Sequence, residues 1–409
     1  MAQRYRPRIV TDGLVLCLDA HDAKSYAGEP TTNNLDSSDR ANANTGPNVS
    51  NNFDSIAITK EVVNYSIDRP HVYRFRSTNA TGYVSIGYNS SIENQSGSVY
   101  SFSFDYKVVR ADSGTTTNLH TAGMTVYGNG YKSPTSSTIA SNVTSSEIEL
   151  SDGWKRVTKT YTCGYTGYNQ TRQNLMTQGV GDFEVLIDNI QFEDKTYSTP
   201  FANLSRSATN GWVDRSGNSN HGTLVNMIGT GASHYRVGQV IMPVANSYLD
   251  FDGSDDYVST SFGSGRDVYS NPISFVAWVK ASVGTNNKMW LDHGSNGTNQ
   301  RLYSALITAD NPSAFGIQGS AWSLPSSADS SKWYHQAIVM DSGTARAYYD
   351  GIAAGTKSYT SYTLPGNTIV GGRSTYYWNG QIACFAVYDK ALTAAEVLRN
   401  YNATKGRFS

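Results

Sequence analysis

The sequence predicts an all-β protein, and three features of its last third carry this prediction. Short runs of β-branched and aromatic residues are bounded by Gly, Asn, Asp or Ser, which is the strand-and-turn pattern. Apolar side chains alternate along these runs, so that Phe275, Ala277 and Val279 fall on one face of a strand. The dipeptides Asp252-Gly253 and Asp350-Gly351 are typical of hairpin turns. Many short strands joined by such turns indicate antiparallel sandwiches.

Composition and charge exclude several classes of function. The chain has 409 residues, enough for two or three domains. Its net charge is −1 and only 16% of its residues are charged, so there is no electrostatic case for binding nucleic acid or an anionic membrane. No apolar run approaches a membrane span, and no apolar segment follows the basic start. We expect no membrane insertion, no signal peptide and synthesis in a reducing cytoplasm.

The cysteines are expected to be buried, reduced thiols. Cys17, Cys163 and Cys384 are odd in number and widely spaced, a pattern typical of neither a disulfide framework nor a metal site. A protein made in the cytoplasm does not depend on disulfides, so we predict that even Cys17 and Cys384, on neighbouring strands, stay unbonded.

The strand order from Ser247 to Tyr401 resembles the laminin-G-like, concanavalin A-like lectin family. The matching motifs are Leu249-x-Phe251-Asp252-Gly253-x-Asp255-Asp256-Tyr257-Val258, Phe275-x-x-Trp278-Val279, Trp333-x-His335 with Tyr349-Asp350-Gly351, and Gly380-x-Ile382 with Tyr388-Asp389-Lys390-Ala391-Leu392. A short amphipathic helix containing Glu396, Val397 and Leu398 follows, as in that family. The resemblance implies a two-sheet jelly-roll sandwich that commonly binds glycans or proteins.

Two earlier segments extend this resemblance. The apolar run Ile9–Ala20 is similar to the first strand of laminin-G-like domains in phage proteins, where a Trp-x-Asp-x-Ser-Gly-Asn motif soon follows. Here that motif is Trp212–Asn218, and about 180 residues separate the two segments. Insertion of a domain at an exposed loop is tolerated. We therefore expect the strand around Leu14–Leu18 to lie in the same sandwich as Ile382–Val387.

The predicted fold class is all-β, with two antiparallel jelly-roll β-sandwiches, the second inserted into the first. The first domain comprises residues 1–28 and 206–409, and the insert comprises residues 29–205. The insert resembles jelly-roll carbohydrate-binding modules in Gly153-Trp154-Lys155-Arg156-Val157 and in its last strand, Val185–Glu193.

Two groups of acidic residues are candidates for binding Ca²⁺, a hard cation that needs several oxygen ligands. In the modules that the insert resembles, an acid at the position of Asp188 often binds a structural calcium ion, which implies the same role here. The alternative for Asp188 is a strand-end residue that caps a turn. For Asp252, Asp255 and Asp256, a hairpin turn is favoured over a metal site.

No catalytic constellation is evident in the sequence. Glu147 and Glu149 share one strand face, whereas glycosidase carboxylates act from set positions across the scissile bond. The Glu-x-Asp-x-x-Glu strand of concanavalin-like glycosidases does not occur, and no Gly-x-Ser-x-Gly nucleophile motif or Gly-rich phosphate loop is present. His335 lies in a predicted strand and is expected to be a core residue. We predict that the protein is not an enzyme.

Aromatic residues in predicted loops are the candidates for glycan binding. Tyr376, Tyr377 and Trp378 lie between a Gly-Gly dipeptide and the closing strand, and Trp322 lies in a segment with the composition of a loop. Exposed aromatic faces stack on sugars and also anchor protein interfaces. The alternative is a place in the core, where most sandwich aromatics lie, and it applies above all to Trp378.

The motifs of both halves resemble structural proteins of tailed bacteriophages. We expect a virion component, such as a fibre, appendage or decoration protein, on the particle exterior after synthesis in the host cytoplasm. It is expected to form a homo-oligomer, to contact other virion proteins and to present glycan-binding surfaces to the host. Two alternatives stay open: a structural joint that makes only protein–protein contacts, and a polysaccharide-degrading enzyme with an unrecognised active site.

Overall fold

The structure is a computed structural model, and it describes most of the chain. The described residues are 8–22, 24–34, 48–51, 58–66, 69, 72–81, 84–111, 124–128, 140–164, 168–176, 180–199, 201–202, 205–227, 248–282, 288–294, 301–305, 314–317, 320–323, 329, 331–364, 366–372 and 376–408. Strands dominate these residues, which confirms the all-β prediction. None of the helices that the described ranges contain is long and apolar enough to cross a membrane.

The chain divides into two compact units. The first unit comprises Met1–Pro30 and Arg206–Ser409, and the second comprises Thr31–Ser205. The strands of the first unit are β1 (Leu14–Asp19), β14 (Gly222–Val225), β15 (Leu249–Asp252), β16 (Tyr257–Thr260), β17 (Ile273–Ala281), β18 (Met289–Gly294), β19 (Arg301–Ala305), β20 (Ala314–Ile317), β21 (Ser320–Ser323), β22 (Tyr334–Asp341), β23 (Thr344–Tyr349), β24 (Ile352–Ser358), β25 (Ile369–Val370) and β26 (Asn379–Tyr388). Its helices are α1 (Ala394–Thr404) and a 3-10 turn, Lys405–Arg407.

The first unit is a jelly-roll-like sandwich of two antiparallel sheets. The first sheet has the order β1-β26-β17-β22-β23-β24, with β15 also paired to β26. The second sheet has the order β14-β16-β25-β18-β19-β20-β21. In the first sheet Leu18 lies opposite Phe385, and Cys17 lies opposite Ala386. The predicted pairing of the N-terminal strand with the closing strand, more than 350 residues later in the chain, is therefore confirmed.

The core lies between the two sheets. Phe275, Ala277 and Val279 of β17 are buried there in one cluster with Trp290 and Phe315 of the second sheet. This inward row is the one that alternation predicts.

The outer face of the first sheet is buried as well. Val276, Val339 and Tyr388 pack there in a second cluster with Leu392 and Val397, and Val397 belongs to α1. Helix α1 begins with a capping box, in which Thr393 Oγ1 accepts the Glu396 N–H and Glu396 Oε2 accepts the Thr393 N–H. A strand covered on both faces needs apolar residues at successive positions, which explains the continuous apolar runs of β17 and β26.

The motif Asp214–Asn220 covers the free edge of β1, and we call it the edge clamp. The Cys17 N–H donates to Asp214 Oδ1 at 2.8 Å, and the Arg215 N–H donates to the Cys17 carbonyl at 2.8 Å. The Asn220 amide donates to the Val15 carbonyl at 2.8 Å. These contacts satisfy backbone groups that β26 leaves unpaired, because β26 uses only one edge of β1.

Cys17 and Cys384 lie on neighbouring strands but not opposite each other, since Cys17 faces Ala386 and Cys384 faces Asp19. Diagonal neighbours in an antiparallel pair lie farther apart than directly opposed residues, at about 7–8 Å, whereas the Cα atoms of a disulfide usually lie at most about 6.8 Å apart. Both side chains line a cavity of about 60 Å³ between the first sheet and the C-terminal residues Asn400 to Arg407. Burial raises the pKa of both thiols to about 12, which keeps them protonated and unreactive.

We predict that Cys17 and Cys384 are reduced in the native protein and react with iodoacetamide only after unfolding. Mass spectrometry of non-reduced protein, alkylated with and without urea, tests this. A quantitative Cys17–Cys384 bond would contradict the prediction.

The second unit contains a six-stranded and a four-stranded antiparallel sheet, and its short strands β2 and β13 pair in a two-stranded sheet. Its strands are β2 (Thr31–Thr32), β3 (Asn48–Asn51), β4 (Ile58–Val63), β5 (Val72–Thr81), β6 (Val84–Asn94), β7 (Val99–Ala111), β8 (Met124–Gly128), β9 (Ala140–Glu149), β10 (Lys155–Cys163), β11 (Tyr168–Met176), β12 (Val180–Glu193) and β13 (Ser205–Arg206, which ends at the boundary). One sheet has the order β4-β5-β12-β7-β10-β9 and the other β3-β6-β11-β8. Phe102 and Phe104 of β7 are buried with Ile187 of β12 on one face of the six-stranded sheet.

Candidate functional site

Four partly buried tyrosines from separate parts of the sequence lie in or beside the second sheet of the first unit. They are Tyr257 at the start of β16, Tyr303 in β19, and Tyr376 and Tyr377 just before β26. We call them the tyrosine group. Tyr257 and Tyr303 each adjoin a fully buried core residue, Val258 and Leu302, so alternation turns both tyrosines away from the core.

A glycine pair places the tyrosines at 376 and 377. Gly371 and Gly372 both have positive φ, +92° and +73°. A Cβ atom at Gly372 would lie 2.3 Å from the Tyr376 carbonyl oxygen, so only glycine allows the chain to approach itself this closely. The Met289 N–H donates to the same carbonyl at 3.0 Å, which attaches the segment to β18.

The tyrosine group makes two sets of contacts. The rings of Tyr257 and Tyr377 lie 6.2 Å apart between centroids, with an interplanar angle of 31°. Tyr303 and Tyr376 pack against Met289 in a small cluster separate from the core. All four side chains keep part of their surface in solvent, which is the condition for stacking on a ligand.

An acidic turn lies directly before Tyr257. Carboxylate oxygens of Asp252, Asp255 and Asp256 lie within 4.8 Å of one another. Asp252 Oδ1 accepts the Ser254 N–H at 2.7 Å, and Asp256 Oδ2 accepts the Asp252 N–H at 3.0 Å. These hydrogen bonds confirm a turn, but the prediction of a hairpin was wrong, because β15 pairs with β26 in the first sheet whereas β16 pairs with β14 and β25 in the second. Asp252 and Asp255 are exposed, so their remaining oxygens can accept hydrogen bonds from a ligand.

The four aromatic residues that the sequence suggested for glycan binding differ in their exposure and in the elements that contain them. Tyr376 and Tyr377 are partly exposed, as a glycan-binding role requires. Trp378 is wholly buried in the core, so its proposed role in glycan binding was wrong. Trp322 lies in strand β21 opposite Phe315 of β20, and the expectation of a loop was wrong. The side chain of Trp322 lies outside what the structure describes.

Sequence reasoning missed Tyr257 and Tyr303. The signal was present, because each tyrosine alternates with an apolar residue that points into the core. The prediction considered only aromatic residues in loops, whereas Tyr257 and Tyr303 lie on strands with their side chains directed away from the core.

Comparison with known proteins identifies part of the chain. Residues 252–398 match the Laminin_G_3 family model, described as the concanavalin A-like lectin/glucanases superfamily. These residues are therefore similar to that family. The matched segment includes the acidic turn and the whole tyrosine group. No curated protein matches the chain in sequence.

Several solved structures resemble the chain at low identity. One is domain 4 of AbnA, a GH43 extracellular arabinanase from Geobacillus stearothermophilus, in complex with arabinotriose. It is 16% identical to this chain, with a TM-score of 0.36. The match covers 47% of this chain and 94% of that domain. The binding domain of Paraclostridial Mosquitocidal Protein 1 is 14% identical with a TM-score of 0.36, covering 48% of this chain and 50% of that one. Botulinum neurotoxin type C, whose cell entry depends on interaction with two ganglioside molecules, is 15% identical with a TM-score of 0.34. The match covers 47% of this chain and 48% of that one. The chain spans about half the length of the two toxin chains.

Asp188, in the second unit, is engaged by protein groups. Its Oδ2 lies 2.7 Å from Arg69 Nη1, and its Oδ1 accepts the Asn189 N–H at 2.8 Å. Asp105 binds the same Arg69 at 2.9 Å and Arg156 at 2.8 Å. Burial raises the pKa of Asp188, and Arg69 opposes that shift. Two guanidinium groups already supply positive charge here, so the described residues do not fit a calcium ion.

The remaining candidates for chemistry have structural roles. Glu147 Oε1 contacts Lys155 Nζ at 2.9 Å, Glu147 Oε2 accepts the Tyr106 hydroxyl at 2.6 Å, and Glu149 contacts the same lysine at 2.9 Å. His335 is 1% exposed, and burial lowers its pKa to about 3, so the imidazole is neutral. The prediction of a core histidine is confirmed.

Proposed function

We propose that the chain is a non-enzymatic glycan-binding protein and that the tyrosine group is its contact surface. The observation that carries this proposal is the pair of partly exposed rings, Tyr257 and Tyr377, beside the exposed carboxylates of a lectin-like domain. An aromatic face stacks on the apolar C–H surface of a sugar ring. Exposed carboxylates accept hydrogen bonds from sugar hydroxyls, so Asp252 and Asp255 supply orientation next to the stacking surface.

We propose further that the protein belongs to the exterior of a tailed-bacteriophage particle and contacts other virion proteins there. The resemblance of its motifs to phage structural proteins supports this setting, and host-surface glycans are the ligands it favours. Antibody labelling of intact particles tests whether the protein lies on their exterior. Absence of label from intact particles would contradict the setting while leaving the glycan proposal unaffected.

The non-enzymatic part of the proposal rests on how the candidate carboxylates are engaged. Glu147 and Glu149 share Lys155, and Asp188 is paired with Arg69, which supports structural roles for these carboxylates. Incubation of purified protein with host polysaccharide, followed by measurement of reducing ends, tests this assignment. Steady product release would establish the enzyme alternative instead.

We predict that Tyr377→Ala weakens glycan binding by about 1–3 kcal/mol, by analogy with aromatic anchors of interfaces. The melting temperature should change little, because the side chain is partly exposed. A glycan array first identifies a ligand, and calorimetric titration then compares the wild type with the variant. Tyr269→Ala is the matched control, since Tyr269 is 43% exposed and lies outside the tyrosine group.

Equal binding by wild type and Tyr377→Ala would remove the tyrosine group from the proposal. Binding to no glycan on the array would favour the structural-joint alternative.

A further inference from the structure

The ring of Tyr303 lies across the neighbouring strand, because the residue opposite it has no side chain. Tyr303 of β19 pairs with Gly316 of β20. Phe315 and Ile317 are buried in the core, so position 316 faces outward, on the same side of the sheet as Tyr303. A Cβ atom on Gly316 would overlap Cε1 and Cζ of the tyrosine ring. The ring therefore covers Gly316, which is buried, while Tyr303 itself stays partly exposed.

Tyr303 lies well away from the ring pair of Tyr257 and Tyr377. In the second sheet β25 and β18 separate β16, which carries Tyr257, from β19, which carries Tyr303. Three strand spacings place β16 and β19 roughly 14 Å apart. Tyr376 and Tyr303 both pack against Met289 of β18, so apolar surface continues between the two ends. One sugar ring is too small to contact both ends of this surface.

We propose that the tyrosine group binds a linear oligosaccharide laid across β16 to β19, with Tyr303 as a second stacking position that Gly316 makes available. This inference rests on the glycan binding proposed above and adds the length of the ligand to it. A linear oligosaccharide offers an apolar C–H face at each sugar, so one chain stacks on rings at both ends. The second contact is intramolecular once the first has formed, and it therefore raises the affinity for long chains.

The two ends of this surface differ in chemistry. The exposed carboxylates of Asp252 and Asp255 belong to the turn directly before Tyr257, so stacking and hydrogen bonding are both available at that end. At the other end Tyr303 supplies a ring that Gly316 allows to lie across β20. We therefore expect short glycans to bind beside Tyr257, and only longer chains to reach Tyr303.

The dependence of affinity on glycan length tests this proposal. The probes are linear oligosaccharides of glucose, galactose, N-acetylglucosamine and arabinose, each from the monosaccharide to the hexasaccharide, titrated calorimetrically into the full chain. Affinity should rise on the order of tenfold once the glycan is long enough to reach Tyr303. Tyr303→Ala should lose this gain and keep the wild-type affinity for short glycans. Tyr303→Phe is the conservative control, since it keeps the ring, and should bind like the wild type.

Gly316→Ala changes the position of the ring without removing it. The φ angle of Gly316 is not positive, so alanine fits the backbone there. The three atoms nearest to the added methyl group all belong to the phenol of Tyr303, which must move away. We expect the affinity for long glycans to fall as in Tyr303→Ala, with an unchanged melting temperature. Gly366→Ala is the matched control, because nothing lies within 4 Å of a Cβ atom at Gly366.

The outcomes separate this inference from the proposed function. Equal affinity for short and long glycans in the wild type would overturn the inference and leave glycan binding beside Tyr257 in place. A gain with length that survives in Tyr303→Ala would overturn it as well. A gain that survives in Gly316→Ala would contradict the positioning role of Gly316. If the wild type binds no glycan of any length, the proposed function fails and the inference fails with it.

Discussion

Replacing Trp378 by Ala is expected to lower the free energy of unfolding of the first unit by about 3–5 kcal/mol. The side chain is 0% exposed and belongs to the core cluster between the sheets. Its backbone N–H donates to the Gly371 carbonyl at 2.8 Å, so the residue is fixed at the start of the closing strand. The loss has two sources: the transfer free energy of the indole and the cavity that rigid neighbours leave behind.

Tryptophan fluorescence during denaturation measures this effect. Six of the seven tryptophans, all except Trp154, belong to the first unit, so the signal reports mainly on it. Trp378→Phe is the control and should cost much less than Trp378→Ala. It keeps most of the buried volume and removes the indole Nε1, which has no hydrogen-bond partner among the described residues. A Trp378→Ala variant that unfolds like the wild type but no longer binds glycan would return Trp378 to the contact surface.

Replacing Asp214 by Ala is expected to destabilise the first unit by about 3–5 kcal/mol, through lost hydrogen bonds instead of lost packing. Asp214 is 5% exposed. Its Oδ1 accepts the N–H groups of Cys17 and Ser216 at 2.8 Å each, and its Oδ2 accepts the Asn220 N–H at 3.0 Å. Alanine would leave these partly buried donors without their acceptor and would loosen the clamp from the edge of β1.

The melting temperature of the first unit should fall by roughly 10 °C in Asp214→Ala. Asp255→Ala is the matched control, since Asp255 is an exposed aspartate of the same unit, and its effect should stay within about 0.5 kcal/mol. Hydrogen exchange should accelerate at the backbone amide of Cys17 in Asp214→Ala alone. If that amide keeps its protection, Asp214 does not hold the edge of β1.

Features that depend on near neighbours in the chain were determined by the sequence alone. Alternation placed Phe275 and Val279 in the core, because successive side chains of any strand point to opposite faces. One long-range pairing, that of β1 with β26, was also predicted, because both are buried apolar runs and the insertion hypothesis placed them in one sandwich. The buried state of His335 follows from the same pattern.

Features that depend on distant segments were decided only by the tertiary structure. Tyr377 and Trp378 are adjacent in sequence, yet one is partly exposed and the other is wholly buried. The partner of Asp188 is Arg69, 119 residues away in the chain. Its guanidinium forms an ion pair with the carboxylate that was predicted to bind a calcium ion. The local pattern of apolar and polar residues predicts which type of element forms and to which face of it each side chain points. The neighbour that covers a ring or neutralises a carboxylate is set by packing between segments far apart in the chain, and no short window of sequence contains it.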